Sequence, residues 1–194
     1  NDFGDGIRPV HDQAADDVAD LGAGTGYLSR RLSAAVGPTG TVLAVEVEPN
    51  LVVHLRERAE KEQTGNVVPV LGSLDNPRLP AAAVDVLLIV DTYHHIDGRV
   101  AYMRAQRRAL RPAARVVIVD WEKRPLPVGP EMDHKLAREQ VVGEREFRGG
   151  PEDVEMGVAT ALGRGDFRRA RVGDGRHAGQ EVHGVSGKWN EPRW

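Results

Sequence analysis

Three glycines at alternate positions, Gly22, Gly24 and Gly26, follow an acid in the run Asp20-Leu21-Gly22-Ala23-Gly24-Thr25-Gly26. A second acid, Glu46, ends the next apolar run. These residue types bind rather than break bonds. Gly22 permits a tight exit from a strand. Gly24 lets backbone approach a ligand closely because no Cβ intrudes, and Gly26 lets a helix start against the sheet. A carboxylate at the end of the second strand can accept hydrogen bonds from both hydroxyls of a ribose, and its charge strengthens them. The pairing of a glycine loop with this acid predicts an adenosine site.

A different chemistry is on offer in Asp91-Thr92-Tyr93-His94-His95. Histidine titrates close to neutrality and suits proton transfer. Tyr93, His94 and His95 are therefore the candidate catalytic residues, against the plainer role of one histidine steadying a loop and the other facing solvent. His134 reads as a surface residue. No metal site is expected: adjacent histidines project differently, and no carboxylate partner is evident. Arg104, Arg107, Arg108 and Arg111 stand at near-helical spacing and read as a solvated helix face rather than an anion patch. Trp121 reads as a packing residue or pocket wall.

The elements that must position these residues alternate in type. Short apolar or β-branched runs at 18–21, 41–45, 67–71, 84–90 and 115–119 predict strands. Helical spacing predicts helices over 27–36, from Pro49 onward, over 100–110 and over 131–146. The run at 84–90 is nearly continuous in apolar residues, as a strand covered on both faces requires. Strands alternating with helices predict a doubly wound α/β fold: a mainly parallel sheet with helices on both faces, in three layers. Ligands of such sheets bind beyond the carboxyl ends of the strands, where strand order reverses. Half of the 22 glycines fall between residues 143 and 187, where apolar runs are short. That stretch, 143–194, predicts a loop-rich region attached to a core at 18–121, all within one domain.

Composition narrows the classes. A net charge of −3 offers no broad basic field for nucleic acid or anionic membranes. With no cysteine, thiolate zinc sites and cysteine nucleophiles are excluded. No apolar run approaches the length of a bilayer span, and the acidic start is no signal peptide. A cytoplasmic protein acting on a small molecule is the expectation.

The Gly-x-Gly-x-Gly spacing behind Asp20 resembles the signature of class I, Rossmann-like methyltransferases that use S-adenosyl-L-methionine (SAM). The resemblance continues in Val45-Glu46-Val47-Glu48-Pro49, in the segment around 84–96, and in the helix-turn-strand at 110–120. It covers residues 18–121. It implies SAM as cofactor, with S-adenosyl-L-homocysteine as product. It also implies that Asp20 and Gly22 face the methionine end, that Gly24 lies near the adenosine, and that Ala23 and Gly26 belong to the same cofactor-binding loop. Glu46 would hold the ribose, with Val47 against the adenine face. Ser73, Leu74 and Asp75 would reach the adenine edge, and Asp91 would line the pocket near the methyl donor. The dinucleotide fingerprint has wider glycine spacing to seat a pyrophosphate, so an NAD(P)-dependent oxidoreductase is the weaker alternative. The Asn/Asp-Pro-Pro-aromatic run of nucleobase amino-methyltransferases is absent after residue 90.

Departures from the pattern keep another alternative open, a SAM- or nucleoside-binding protein without catalysis. Ser73 replaces an acid, with Asp75 as a substitute. The glycine-rich turn before the fifth strand is Ala113-Ala114, where a positive φ would cost on the order of 1 kcal/mol. About 17 residues precede the first strand and show no amphipathic helix, and the C-terminal part shows no clear sixth and seventh strands.

Overall fold

The computed structural model describes residues 16–126, 129–144, 155–162 and 166–168. The expectation of no helix before the first strand falls mostly on residues 1–15, outside the described residues.

A seven-stranded sheet runs in the order β3-β2-β1-β4-β5-β6-β7. Its strands are β1 (Val18–Leu21), β2 (Val42–Glu46), β3 (Val67–Leu71), β4 (Val84–Val90), β5 (Leu110–Trp121), β6 (Glu155–Leu162) and β7 (Asp166–Arg168). All neighbours pair in parallel except β6 and β7, which are antiparallel. The chain winds outward from β1 to β3, then restarts on the other side of β1 with β4. That reversal leaves a crevice beyond the carboxyl ends of β1 and β4.

Side chains alternate across the strands, and the two sheet faces build two cores. Ala19, Leu21, Leu43, Val45, Leu87 and Ile89 join one core with Tyr93, Tyr102, Met103 and Val141. Val18, Val42 and Ala44 join the other with Leu32 of α1 (Tyr27–Val36) and Leu55 of α2 (Pro49–Glu62). The first core is closed by α3 (Arg99–Gln106) and α4 (Arg138–Gly143). Both faces are covered, which is why β1 and β2 carry buried residues at every position.

Four sequence expectations are corrected. The third helix ends at Gln106 and passes through one 3-10 turn, Arg107–Ala109, into β5, which starts at Leu110 rather than 115. The register of β4 with β5 therefore slips between Val84 and Val86, and Ala113 takes a φ of 62°. Arg111 consequently lies on a strand, so the four arginines form no single helix face. The predicted helix over 131–146 shrinks to α4, and His134 sits on an exposed turn before it. The region after 143 is not only loop, since β6 extends the parallel sheet beside β5 and β7 turns back along it.

Candidate functional site

Gly22, Gly24 and Gly26 all adopt left-handed φ values, 79°, 55° and 79°, which a side chain tolerates poorly. Their reasons differ beyond that. A Cβ on Gly22 would overlap the side chain of Thr92, so this glycine admits the loop after β4 rather than a ligand. A Cβ on Gly26 would meet Leu55 Cδ2 at 2.6 Å, so Gly26 seats the start of α1 against α2. A Cβ on Gly24 would meet nothing within 4 Å. Gly24 alone of the three opens onto free space.

The loop is tied to β2, because the Gly22 and Ala23 amides both donate to the Val45 carbonyl, at 2.9 and 3.0 Å. One residue on, the buried Glu46 carboxylate accepts the Gly24 amide through Oε2 at 2.9 Å. Its Oε1 accepts the amides of Val47 at 2.7 Å and Glu48 at 3.2 Å. Bend and carboxylate thus meet directly. A carboxylate offers about four acceptor positions, so three are engaged and one is left for a ligand hydroxyl.

Val47 is partly exposed beside this carboxylate. The Gly72 amide donates to the Glu46 carbonyl at 2.9 Å, which brings the turn after β3 to the same end of the sheet. There Ser73 Oγ donates to Asp75 Oδ1 at 2.6 Å, a contact that holds the Asp75 carboxyl below its ordinary value. Leu74, at the tip of this turn, is 79% exposed.

Asp20 departs from its expected place. It is only 2% exposed and accepts a hydrogen bond from the buried Ser29 hydroxyl of α1 at 2.6 Å. Burial, with some help from the nearby Glu46 charge, raises its carboxyl to about 6. It fastens α1 to β1 instead of opening toward the methionine end, because the side chain alternates to the helix face of the strand.

The β4 side of the crevice holds Asp91, at a φ of 52° and exposed, with Trp121 Nε1 donating to its Oδ1 at 2.6 Å. Burial of the carboxyl group, followed by the neighbouring Asp120 charge, outweighs that hydrogen bond and raises Asp91. Trp121 also packs against Gly129, as a pocket wall would. Tyr93 lies in the core, donating its hydroxyl to Glu144 at 2.8 Å, where Arg99 also binds Glu144. Burial and then that acceptor raise the phenol well above its ordinary range. Tyr93 therefore anchors the Glu144 segment and is not placed to take a proton.

The rings of His94 and His95 lie against each other, tilted by 42° with centroids 4.0 Å apart, His95 exposed and His94 with its side chain 3% exposed. A partner that sequence reasoning missed is Asp120, buried in β5. Its Oδ1 lies 2.8 Å from His94 Nδ1, its Oδ2 accepts the His94 amide at 3.0 Å, and its Oδ1 accepts the Trp121 amide at 2.7 Å. The signal is an acid closing the apolar run from Val116 to Val119, one residue before Trp121. Asp91, His94 and Asp120 place potential ligand atoms within 4.8 Å of one another, but the His94 and Asp120 atoms already serve each other.

No helix among the described residues is long and apolar enough to cross a membrane. Residues 18–113 match the family model of a methyltransferase domain. Over 119 residues the chain is 28% identical to the ubiquinone/menaquinone biosynthesis C-methyltransferase of Ectopseudomonas mendocina, covering 61% of this chain and 44% of that protein. The chain thus spans less than half the length of the curated relatives it matches. Among solved structures, a SAM dependent methyltransferase from Aquifex aeolicus is similar at 26% identity and a TM-score of 0.66, with 70% of this chain and 72% of that chain covered. A Haemonchus contortus phosphoethanolamine N-methyltransferase in complex with SAM is similar at 18% identity and a TM-score of 0.61, over 73% of this chain and 34% of that one. At that identity the likeness speaks for the fold.

Proposed function

The chain belongs to the class I, Rossmann-like SAM-dependent methyltransferases, and we propose that it transfers a methyl group from SAM to a small-molecule acceptor. The observation that carries this reading is the hydrogen bond between Glu46 and the Gly24 amide at the strand-order reversal. It joins an open backbone bend to a carboxylate with capacity left for a ribose hydroxyl.

Charge supports SAM over a dinucleotide. Glu46, Asp91 and Asp120 stand at or just beyond the carboxyl ends of β2, β4 and β5. Among the described residues none of the three is salt-bridged to a lysine or arginine. An acid-rich crevice favours a sulfonium and repels a pyrophosphate.

When bound, SAM supplies a methyl group made electrophilic by the sulfonium, and the transfer is an in-line displacement whose main demand is alignment. In this reading Gly24 admits the nucleoside, Glu46 fixes its ribose, and Val47 and the turn at Ser73, Leu74 and Asp75 border its base. Asp91, steadied by Trp121, borders the donor side. The acceptor atom is oxygen, nitrogen, carbon or a metalloid, and the likeness to a C-methyltransferase supports carbon among them. The net charge of −3 favours a small acceptor over nucleic acid.

Calorimetric titration with SAM, S-adenosylhomocysteine, NAD and NADP tests the reading. SAM and its product bind and the dinucleotides do not. Binding of NAD or NADP without SAM would sink it.

A further inference from the structure

Transfer to an acceptor that carries a proton needs somewhere for that proton to go, and the carboxyl end of β4 holds one built device for it. His94 is fixed twice by one buried carboxylate, through its amide and through ring Nδ1. Asp120 is itself fixed by the Trp121 amide. A carboxylate on Nδ1 selects the tautomer with the proton on Nδ1, which leaves a lone pair on Nε2. Among the described residues Nε2 has no hydrogen-bond partner, and the ring of exposed His95 lies against that of His94, with centroids 4.0 Å apart.

We propose that His94 Nε2 takes a proton from the acceptor, with Asp120 as the residue that positions it, and that the acceptor is therefore a hydroxyl, a thiol or an acidic carbon. This rests on the SAM reading above. In the step, the acceptor's X–H bond breaks and its proton passes to Nε2. The pair left on X forms the new X–CH3 bond, and the methyl–sulfur bond breaks with its electrons retained by sulfur. The sum is a methylated acceptor, an imidazolium and neutral S-adenosylhomocysteine. An acceptor atom that carries no proton, such as that of a tertiary amine or a thioether, has no use for the pair. A loop staple would need only the amide contact to Asp120. The second contact, to the ring, acts on the tautomer.

The test compares the full chain with its His94→Gln and Asp120→Asn variants by three readouts. These are SAM affinity by calorimetry, imidazole tautomers by nitrogen-15 NMR above the ordinary histidine range, and methyl transfer from labelled SAM to a panel of phenols, thiols, carbon acids, tertiary amines and thioethers. The expected result is SAM affinity within about threefold in His94→Gln, with His94 but not His95 as the Nδ1–H tautomer in the parent. Turnover of the proton-bearing probes should fall about 100-fold or more in His94→Gln. It should fall through kcat rather than KM in Asp120→Asn. Three results overturn the proposal: an Nε2–H tautomer at His94 in the parent, undiminished turnover in His94→Gln, or methylation confined to the tertiary amines and thioethers. His94→Gln leaves Asp120 in place, so the proposal stays falsifiable even where Asp120→Asn fails to fold. A parent that does not bind SAM overturns the functional reading itself, which the calorimetry reports separately.

Discussion

The two ends of the sheet handle their carboxylates in opposite ways. At the amino end Arg111 reaches Asp17 at 2.8 Å and Asp85 at 2.5 Å, Arg115 reaches Asp16 at 3.6 Å, and Asp17 also accepts the Thr41 amide at 2.8 Å. Burial pushes the Asp17 carboxyl up, but Arg111 and Thr41 outweigh it and the net direction is down. At the carboxyl end Asp20, Glu46, Asp91 and Asp120 meet hydroxyl, indole, imidazole and amide donors. There Asp20 and Asp91 are raised. One end neutralises its acids and gains stability. The other keeps them uncompensated, which costs stability and leaves charge for a cationic ligand.

Asp20 gives the sharpest measure of that cost. Its carboxyl is raised from 3.8 to about 6 on folding. A raised carboxyl favours the protonated form in the folded state, so this contribution is fullest below about pH 4 and fades as pH rises to about 6. Asp20→Asn keeps an acceptor for Ser29 and cannot ionise. Its stability relative to the parent, read by urea unfolding, should therefore climb by about 2–3 kcal/mol between pH 4 and 7. A difference that is flat with pH breaks the contrast between the ends.

Glu46→Ala acts on binding. It removes a charged acceptor from the ribose and strands the amides of Gly24, Val47 and Glu48. SAM affinity should weaken by ~1–3 kcal/mol in calorimetry. Unchanged affinity removes the ribose assignment. Arg111→Ala, at the far end, should leave SAM affinity within about twofold.

Most of the sheet was legible because strand residues such as Val84–Val90 are apolar throughout and turn residues bracket them. The cofactor side was legible because Gly24 and Glu46 carry their reason in their own type: free φ in one, charge at a strand end in the other. What stayed hidden depends on partners distant in the chain. Asp120 reads as an acid at a strand end until His94, 26 positions away, is seen against it. Asp20 reads as a ligand residue because spacing does not say which face of β1 it takes, and Ser29 decides that. Tyr93 reads as a catalytic candidate until Glu144 claims its hydroxyl. The strand β6 escapes because Gly157, Ala159, Thr160 and Ala161 give little apolar signal, and its pairing with β5 supplies what the local pattern lacks.

The amino end should show the reverse of Asp20. Arg111→Ala leaves Asp17 and Asp85 without their shared cation. Because these groups are partly exposed, the loss at neutral pH should be about 1 kcal/mol in urea unfolding. A lowered carboxyl contributes stability above its unfolded value and loses it as pH falls through the folded one. The gap between variant and parent should therefore close as acid protonates Asp17. A gap that stays constant as pH falls would mean that Arg111 acts through packing.

The smallest effect concerns the strain on the route into β5. Ala113 holds a φ of 62° at an exposed position where β5 slips against β4. A Cβ is strained in that region and glycine is not, although glycine also loosens the unfolded chain. Ala113→Gly should therefore stabilise the fold by somewhat under about 1 kcal/mol, with SAM affinity unchanged because the slip lies at the amino end. Destabilisation would show that the methyl group makes a contact worth more than the strain. A change in SAM affinity would show that the two ends are coupled along β5, through Asp120 and Trp121.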